Sequence, residues 1–157
     1  MSNVVIRDCK LRGNGSYIQV SDSSEVTIFN NQILFGEGVK LGVSQNIVVE
    51  NNLIALDIAE TSRGIAIHGG TLQNSKIVGN YISVPKQRGI VLDGMWWGPL
   101  GGVYHYSIDV IVKDNTFADA QIGIHDVDRA TADADLERTN QFFGKDRVVE
   151  KVVKKGN

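Results

Sequence analysis

Residues 26–33 read VTIFNNQI, and the pattern of this segment recurs along most of the chain. In each copy an aliphatic residue stands three positions before an Asn, and a second apolar residue stands two positions after it. The copies are residues 26–33 (VTIFNNQI), 47–54 (IVVENNLI), 75–82 (SKIVGNYI) and 110–117 (VIVKDNTF), and a fifth, 4–11 (VVIRDCKL), has Cys9 at the Asn position. The first aliphatic position recurs at 6, 28, 49, 77 and 112, in steps of 22, 21, 28 and 35. Two short steps followed by two longer ones indicate a constant repeat with growing insertions.

A sharp bend is expected inside every copy. The residue before the Asn position is always of a type that tolerates the left-handed backbone region. These residues are Asp8, Asn30, Asn51, Gly79 and Asp114. An apolar strand flanks the bend on each side, with alternate residues facing inward. A third strand follows in each copy, at residues 16–20, 38–41, 64–67, 89–92 and 121–124.

Three short strands per repeat predict one coil of a parallel β-helix. Successive coils stack at the strand spacing of ~4.8 Å, so five coils give a rod about 24 Å long. Equivalent inward positions then form columns, one at 6, 28, 49, 77 and 112 and another at 11, 33, 54, 82 and 117. A leucine-rich helix would need a Leu-rich frame and a hexapeptide helix a six-residue period, and neither is present.

The repeat resembles the right-handed parallel β-helix, or pectate-lyase-like, superfamily over residues 3 to 127. Its most specific element is the series Asn31, Asn52, Asn80 and Asn115. The resemblance implies an Asn ladder, whose side chains stack inside the bend and hydrogen-bond along the axis, with Cys9 departing from it at the first coil. The expected fold is all-β: a short, single-stranded right-handed parallel β-helix of about five coils with a C-terminal helical cap.

The domain boundaries follow from where the repeat stops. Residues 1–128 are predicted to form the β-helix, and residues 129–157 a C-terminal cap and tail of the same domain. Residues 129–143 have helical character, and residues 147–155 fit either a last strand or a basic tail. No equivalent cap precedes the first coil, so we expect a neighbouring domain, a longer β-helix or another subunit of a homo-oligomer to cover that end.

Composition excludes several function classes. The net charge of -2 provides no surplus of cations for nucleic-acid binding. No segment approaches the ~18 consecutive apolar residues of a membrane span, so no membrane partner is expected. The single cysteine, Cys9, excludes an internal disulfide. The first residues do not have the pattern of a signal peptide, and the localisation stays open.

An aromatic insertion follows the third strand of the fourth coil. Residues 94–107 read GMWWGPLGGVYHYS and contain both tryptophans. The candidate substrate-binding residues are Trp96, Trp97, Tyr104, His105 and Tyr106. Aromatic planes stack on the apolar C–H faces of sugars, and polar groups at their edges meet the hydroxyls. The alternatives are a hydrophobic cluster folded onto the rod, or a subunit interface.

A polar column is expected where the third strands end. His68 follows Ile67, Asp93 follows Leu92, and His125 joins them if the fifth coil is aligned through Ile122. The alternative alignment, through Gly123 and Ile124, instead puts Val127 in the column. A His beside an Asp can serve as a general acid–base pair or as a weak metal site, and solvated turn residues are the simpler interpretation.

An acidic cluster lies near the end of the repeat. It comprises Asp126, Asp128, Asp133 and Asp135, with Asp119 nearby. Carboxylates bind calcium, and the resemblance implies that related proteins often hold this ion. A solvated helix start is the simpler account of the cluster, because Asp favours the first turn. No cofactor or metal is therefore assigned.

These residues favour a carbohydrate-recognising or carbohydrate-processing protein that acts on an extended polysaccharide. The candidate catalytic residues are His68, Asp93 and His125. No complete lyase set of base and cation, and no pair of hydrolase carboxylates, can be identified. If the protein is an enzyme, the sequence therefore does not decide between a polysaccharide lyase and a glycoside hydrolase. The alternatives are a non-catalytic structural or adhesive module similar to a tail-spike fragment, and an intracellular binding scaffold.

Overall fold

The structure is a computed structural model, and it describes residues 3–13, 15–56, 65–96, 104–127, 130–131, 135–144 and 147–152. The strands in chain order are β1 (Val4–Arg7), β2 (Lys10–Arg12), β3 (Tyr17–Val20), β4 (Ser23–Phe29), β5 (Gln32–Leu34), β6 (Gly38–Leu41), β7 (Ser44–Glu50), β8 (Leu53–Ala55), β9 (Ile65–Gly70), β10 (Leu72–Gln73), β11 (Lys76–Val78), β12 (Tyr81–Ser83), β13 (Arg88–Trp96), β14 (Tyr104–Tyr106), β15 (Ile111–Lys113), β16 (Thr116–Ala118), β17 (Ile122–Val127), β18 (Gln141–Phe143) and β19 (Arg147–Val152). One helix, α1 (Leu136–Thr139), precedes β18.

The strands form three parallel sheets that run side by side along the rod. The first sheet has the order β1-β4-β7-β11-β15, with β10 also paired to β7. The second has the order β2-β5-β8-β12-β16-β18, and the third β3-β6-β9-β13-β17-β19. Each coil contributes one strand to each sheet in turn. The predicted parallel β-helix of about five coils is therefore confirmed.

The core is a set of stacked aliphatic columns. The strand register aligns the predicted columns in the first and second sheets. In the second sheet Phe142 extends the column, and its ring stacks on Phe117 with centroids 4.9 Å apart. Residues of these columns are fully buried in the interior coils, as Ile28, Ile54 and Ile82 show. Their burial, together with that of third-sheet residues such as Ile67 and Ile90, provides the apolar core that holds the rod together.

Asparagine side chains form a second stack, at the bend between the first and second sheets. Asn31, Asn52, Asn80 and Asn115 are all buried. The Nδ2 of each donates to the Oδ1 of the next at 2.9–3.0 Å, and the last of them donates to Asn140. We call these five residues the Asn stack. The preceding bend residues all have positive φ, as expected: Asp8, Asn30, Asn51, Gly79 and Asp114.

The C-terminal segment continues two of the sheets. Strand β18 pairs with β16 and β19 pairs with β17, both in parallel. In this segment the only described helix is the short α1, which lies at the end of the first sheet, where Asp114 donates its N–H to the Thr139 carbonyl at 2.6 Å. Residues 147–152 are thus a strand and not a basic tail. The division of the chain at residue 128 stays a prediction.

Candidate functional site

The outer face of the third sheet carries one residue from each coil at the same register position. This column consists of Gln19, Lys40, His68, Val91, His125 and Glu150. The sequence-based alignment of this sheet through Gly64 and Gly89 is wrong by two residues, because Ile67 and not Ile65 pairs with Ile90. A shift of two residues preserves the inward and outward alternation, so periodicity cannot detect it.

The expected column of His68, Asp93 and His125 is therefore corrected. Asp93 lies opposite Gly70, and Val91 separates the two histidines. The alternative alignment of the fifth coil, through Gly123 and Ile124, is the one that the structure has, since Ile90 pairs with Ile124. The two histidines are two strand spacings apart, or about 10 Å.

His68 and Asp93 nevertheless meet, across a diagonal of the sheet. The Nε2 of His68 lies 2.9 Å from Oδ1 of Asp93. The residue paired with Asp93 is Gly70. Because glycine has no side chain, no group on this residue separates the Asp93 carboxylate from the His68 imidazole. The side chains are 27% and 32% exposed, so the pair is open to a ligand. A carboxylate that accepts the Nε2 proton leaves Nδ1 as the nitrogen that can take up another proton.

His125 forms a separate pair with Glu150. Its Nδ1 lies 2.7 Å from the Glu150 Oε2, and the two side chains are 15% and 26% exposed. Glu150 was not predicted as a site residue, because only the strand pairing of β19 with β17 brings it beside His125. Val91, which is 2% exposed, lies between this pair and His68. The predicted histidines thus belong to two distinct pairs on one face.

Lys40 extends this polar face toward the first coil. It is the register neighbour of His68, forms an ion pair with Glu37 and lies over the Tyr17 ring, 4.3 Å from the centroid. A cation held by both a carboxylate and an aromatic face is largely neutralised. Lys40 was also not predicted as a site residue, because a Lys three residues after a Glu is common on any protein surface.

The aromatic insertion begins immediately beyond the His68–Asp93 pair. Strand β13 continues past Asp93, and β14 pairs with it antiparallel, so that Trp96 stands opposite Tyr104, Met95 opposite His105 and Gly94 opposite Tyr106. Four of the predicted binding residues therefore lie on a β-hairpin, and Trp97 lies outside the described residues.

A buried serine attaches this hairpin to the rod. Ser107, directly after β14, is 2% exposed. Its hydroxyl donates to the Asp93 carbonyl at 3.0 Å and accepts the Leu72 N–H at 2.9 Å. The base of the hairpin is thus bonded to the backbone of the residue that contacts His68. This bond fixes the position of the aromatic strands relative to the pair.

The described acidic residues near the end of the repeat do not share one site. Asp126 is buried and accepts from the Thr131 hydroxyl at 2.6 Å, whereas Asp135 pairs with Arg138 at the start of α1. Asp128 and Asp133 lie outside the described residues. Within the described ranges, no three His, Cys, Asp or Glu side chains are grouped closely enough to hold a metal ion. No helix in the described part of the chain is long and apolar enough to cross a membrane.

Comparison with known proteins agrees with this architecture. Residues 1–95 match the family model described as the right handed beta helix region. Neither a search of curated proteins nor a search of solved structures found a match. The matched segment covers more than half of the 157 residues and includes both His68 and Asp93. The chain belongs to the right-handed β-helix family.

Proposed function

We propose that this protein binds an extended polysaccharide along the outer face of the third sheet, and that the His68–Asp93 pair acts on it as an acid–base pair. The observation that carries the proposal is the 2.9 Å contact between two partly exposed side chains at the base of an aromatic hairpin. Membership of the β-helix family supports it, since the family suggests a pectate-lyase-like fold.

The geometry of the rod favours a linear ligand. Register neighbours on the third-sheet face repeat at about 4.8 Å, a spacing close to that of the sugar units in an extended glycan. The column from Gln19 to Glu150 crosses all the coils, so its length exceeds that of a single sugar ring. A polysaccharide lying along this column meets a hydrogen-bonding side chain at most of its register positions. The buried Val91 is the one apolar position among them.

The His68–Asp93 pair has the parts that general base catalysis requires. Asp93 orients the imidazole and stabilises the imidazolium that forms when Nδ1 accepts a proton. The proton comes from a sugar carbon acid, a sugar hydroxyl or a water molecule, and the protonated imidazole then returns it to the leaving oxygen. No residue beyond this pair is assigned a catalytic role.

An incubation with neutral and uronic-acid polysaccharides, with and without calcium, tests the proposal. Retention of the protein measures binding, and new chain ends measure cleavage. We expect both with the unmodified protein, and we expect His68→Gln and Asp93→Asn to abolish new chain ends while most of the retention persists. His125→Gln should reduce cleavage far less, because Val91 separates it from His68.

Two results would contradict the proposal. Retention without new chain ends, in every polysaccharide, would leave a binding module and remove the acid–base role. Absence of both signals would reject a polysaccharide ligand altogether. Gln32→Ala is a matched control, since Gln32 is an exposed amide on the second sheet and should change neither signal.

A further inference from the structure

A polar cleft lies at the corner where the third sheet passes into the first. Its volume is about 350 Å³. Each of the first three coils contributes one corner residue to it, namely Asp22, Val43 and Thr71. The cleft is separate from the column on the third-sheet face. Its volume is at the lower end of the range of about 300–1,000 Å³ found for small-molecule sites, which suits one or two sugar units.

A row of neutral side chains forms one wall of the cleft. Ser24, Gln45 and Gln73 line it and are register neighbours on three successive strands of the first sheet. None of the three side chains makes a hydrogen bond to any residue in the described ranges. Hydroxyl and amide groups both donate and accept hydrogen bonds, so the row offers a donor and an acceptor at each step of about 4.8 Å.

The charge of the cleft discriminates between classes of sugar. No Lys, Arg or His is among the described residues that line it, and Asp22 is its one ionisable group. A uronate or sulfate placed there would lose hydration without gaining a cation from these lining residues. An uncharged sugar has no such cost, and Val43 offers an apolar surface to its C–H face.

The cleft is connected to the His68–Asp93 pair through the backbone. Thr71 follows Gly70, the residue opposite Asp93, and donates its N–H to the Asp93 carbonyl at 3.3 Å. Ser44 donates its N–H to the Thr71 carbonyl at 3.2 Å, which ties the next coil to the same corner. Thr71, which lines the cleft, is therefore bonded directly to the backbone of Asp93, so the cleft adjoins the pair at this corner.

We infer that this corner cleft is a binding subsite for an uncharged sugar unit, and hence that the ligand is a neutral polysaccharide. The inference rests on the proposed function, because it names the class of the polysaccharide that is proposed to bind. It assigns specificity to Ser24, Gln45 and Gln73, which the sequence pattern did not single out.

The test compares affinity electrophoresis in neutral glycans, such as a glucan, a mannan and a galactan, with that in polygalacturonate and alginate. We expect retardation in at least one neutral glycan and in neither uronic polymer. The double variant Gln45→Ala with Gln73→Ala should weaken that retention about tenfold or more, as expected for two lost hydrogen bonds. Gln45→Glu should weaken it as well, since it keeps the size of the side chain and removes the amide donor.

Gln32→Ala, an exposed amide outside the cleft, is the matched control and should retain full affinity. Thermal melting of each variant checks its fold. Retention by uronic polymers alone, or unchanged neutral retention in the double variant, would overturn the subsite while leaving the polysaccharide proposal intact. Retention by no glycan would overturn both.

Discussion

Truncating Asn80 to Ala removes the middle member of the Asn stack. Its Nδ2 donates to the Val49 carbonyl at 3.0 Å, to the Val78 carbonyl at 3.1 Å and to the Asn115 Oδ1 at 2.9 Å. Its Oδ1 accepts the backbone N–H of Asn52 at 3.0 Å and the Nδ2 of Asn52 at 2.9 Å. The two amide hydrogens are thus shared among three acceptors and the oxygen accepts two further bonds, and all of these contacts, inside the bend, are lost in one substitution.

The magnitude follows from which groups are left without partners. The buried Asn52 N–H has no other described acceptor, and an orphaned buried donor costs about 1–3 kcal/mol. The Asn115 Oδ1 keeps the N–H of residue 80, so it is not orphaned. The other lost bonds contribute about 0.5–1.5 kcal/mol each. Part of this loss is offset, because folding no longer removes the polar Asn80 amide from water. We expect Asn80→Ala to lower the free energy of unfolding by about 3–5 kcal/mol in total.

Denaturant unfolding, followed by circular dichroism, measures this loss directly. A loss of about 3–5 kcal/mol is a large share of the about 5–15 kcal/mol that holds a typical domain folded. Gln32→Ala is the control, because it removes an exposed amide and should change stability by no more than about 0.5 kcal/mol. If Asn80→Ala matched this control, the Asn stack would make no net contribution to stability and the reasoning would be refuted.

Two further predictions concern packing and the last coil. A Cβ on Gly123 would clash with the Phe142 ring and lie 2.7 Å from the Val148 carbonyl, so Gly123→Ala should cost about 1–3 kcal/mol or more in unfolding free energy. Adding Phe142→Leu should recover part of that loss in a double-mutant cycle, and strict additivity would count against the clash. The His125–Glu150 contact joins β19 to β17. A double-mutant cycle of His125→Gln and Glu150→Gln should therefore show a coupling energy of about 0.5–1.5 kcal/mol in urea unfolding. No coupling would mean that the contact does not stabilise the last coil.

The inward columns and the bends could be predicted because both are local properties of a repeat. An aliphatic residue at every second position faces inward in any strand, and Asp, Asn or Gly before the Asn tolerates positive φ in every coil. Asn140 escaped prediction because Glu137 stands where the other copies have an aliphatic residue. The remaining signal, an Asn two residues before an aromatic as in Asn115 and Phe117, recurs at Asn140 and Phe142.

The candidate site was predictable only in its residue types. Sequence reasoning selected His68 and Asp93 as neighbours, but through a register that is two residues wrong. They meet instead on a diagonal, opposite a glycine. The corner cleft was invisible because Ser24, Gln45 and Gln73 are individually ordinary polar residues and become a row only when three coils are stacked.

The amino-acid sequence alone determined that this chain forms a parallel β-helix, because the period of the Asn frame and the alternation along each strand are written into every repeat. The tertiary structure alone decided which coil positions stand side by side. Turn length between strands sets that register, and a shift of two residues leaves every inward residue inward. The pairing of His68 with Asp93, of His125 with Glu150 and the row in the corner cleft all depend on this register, which no local pattern encodes.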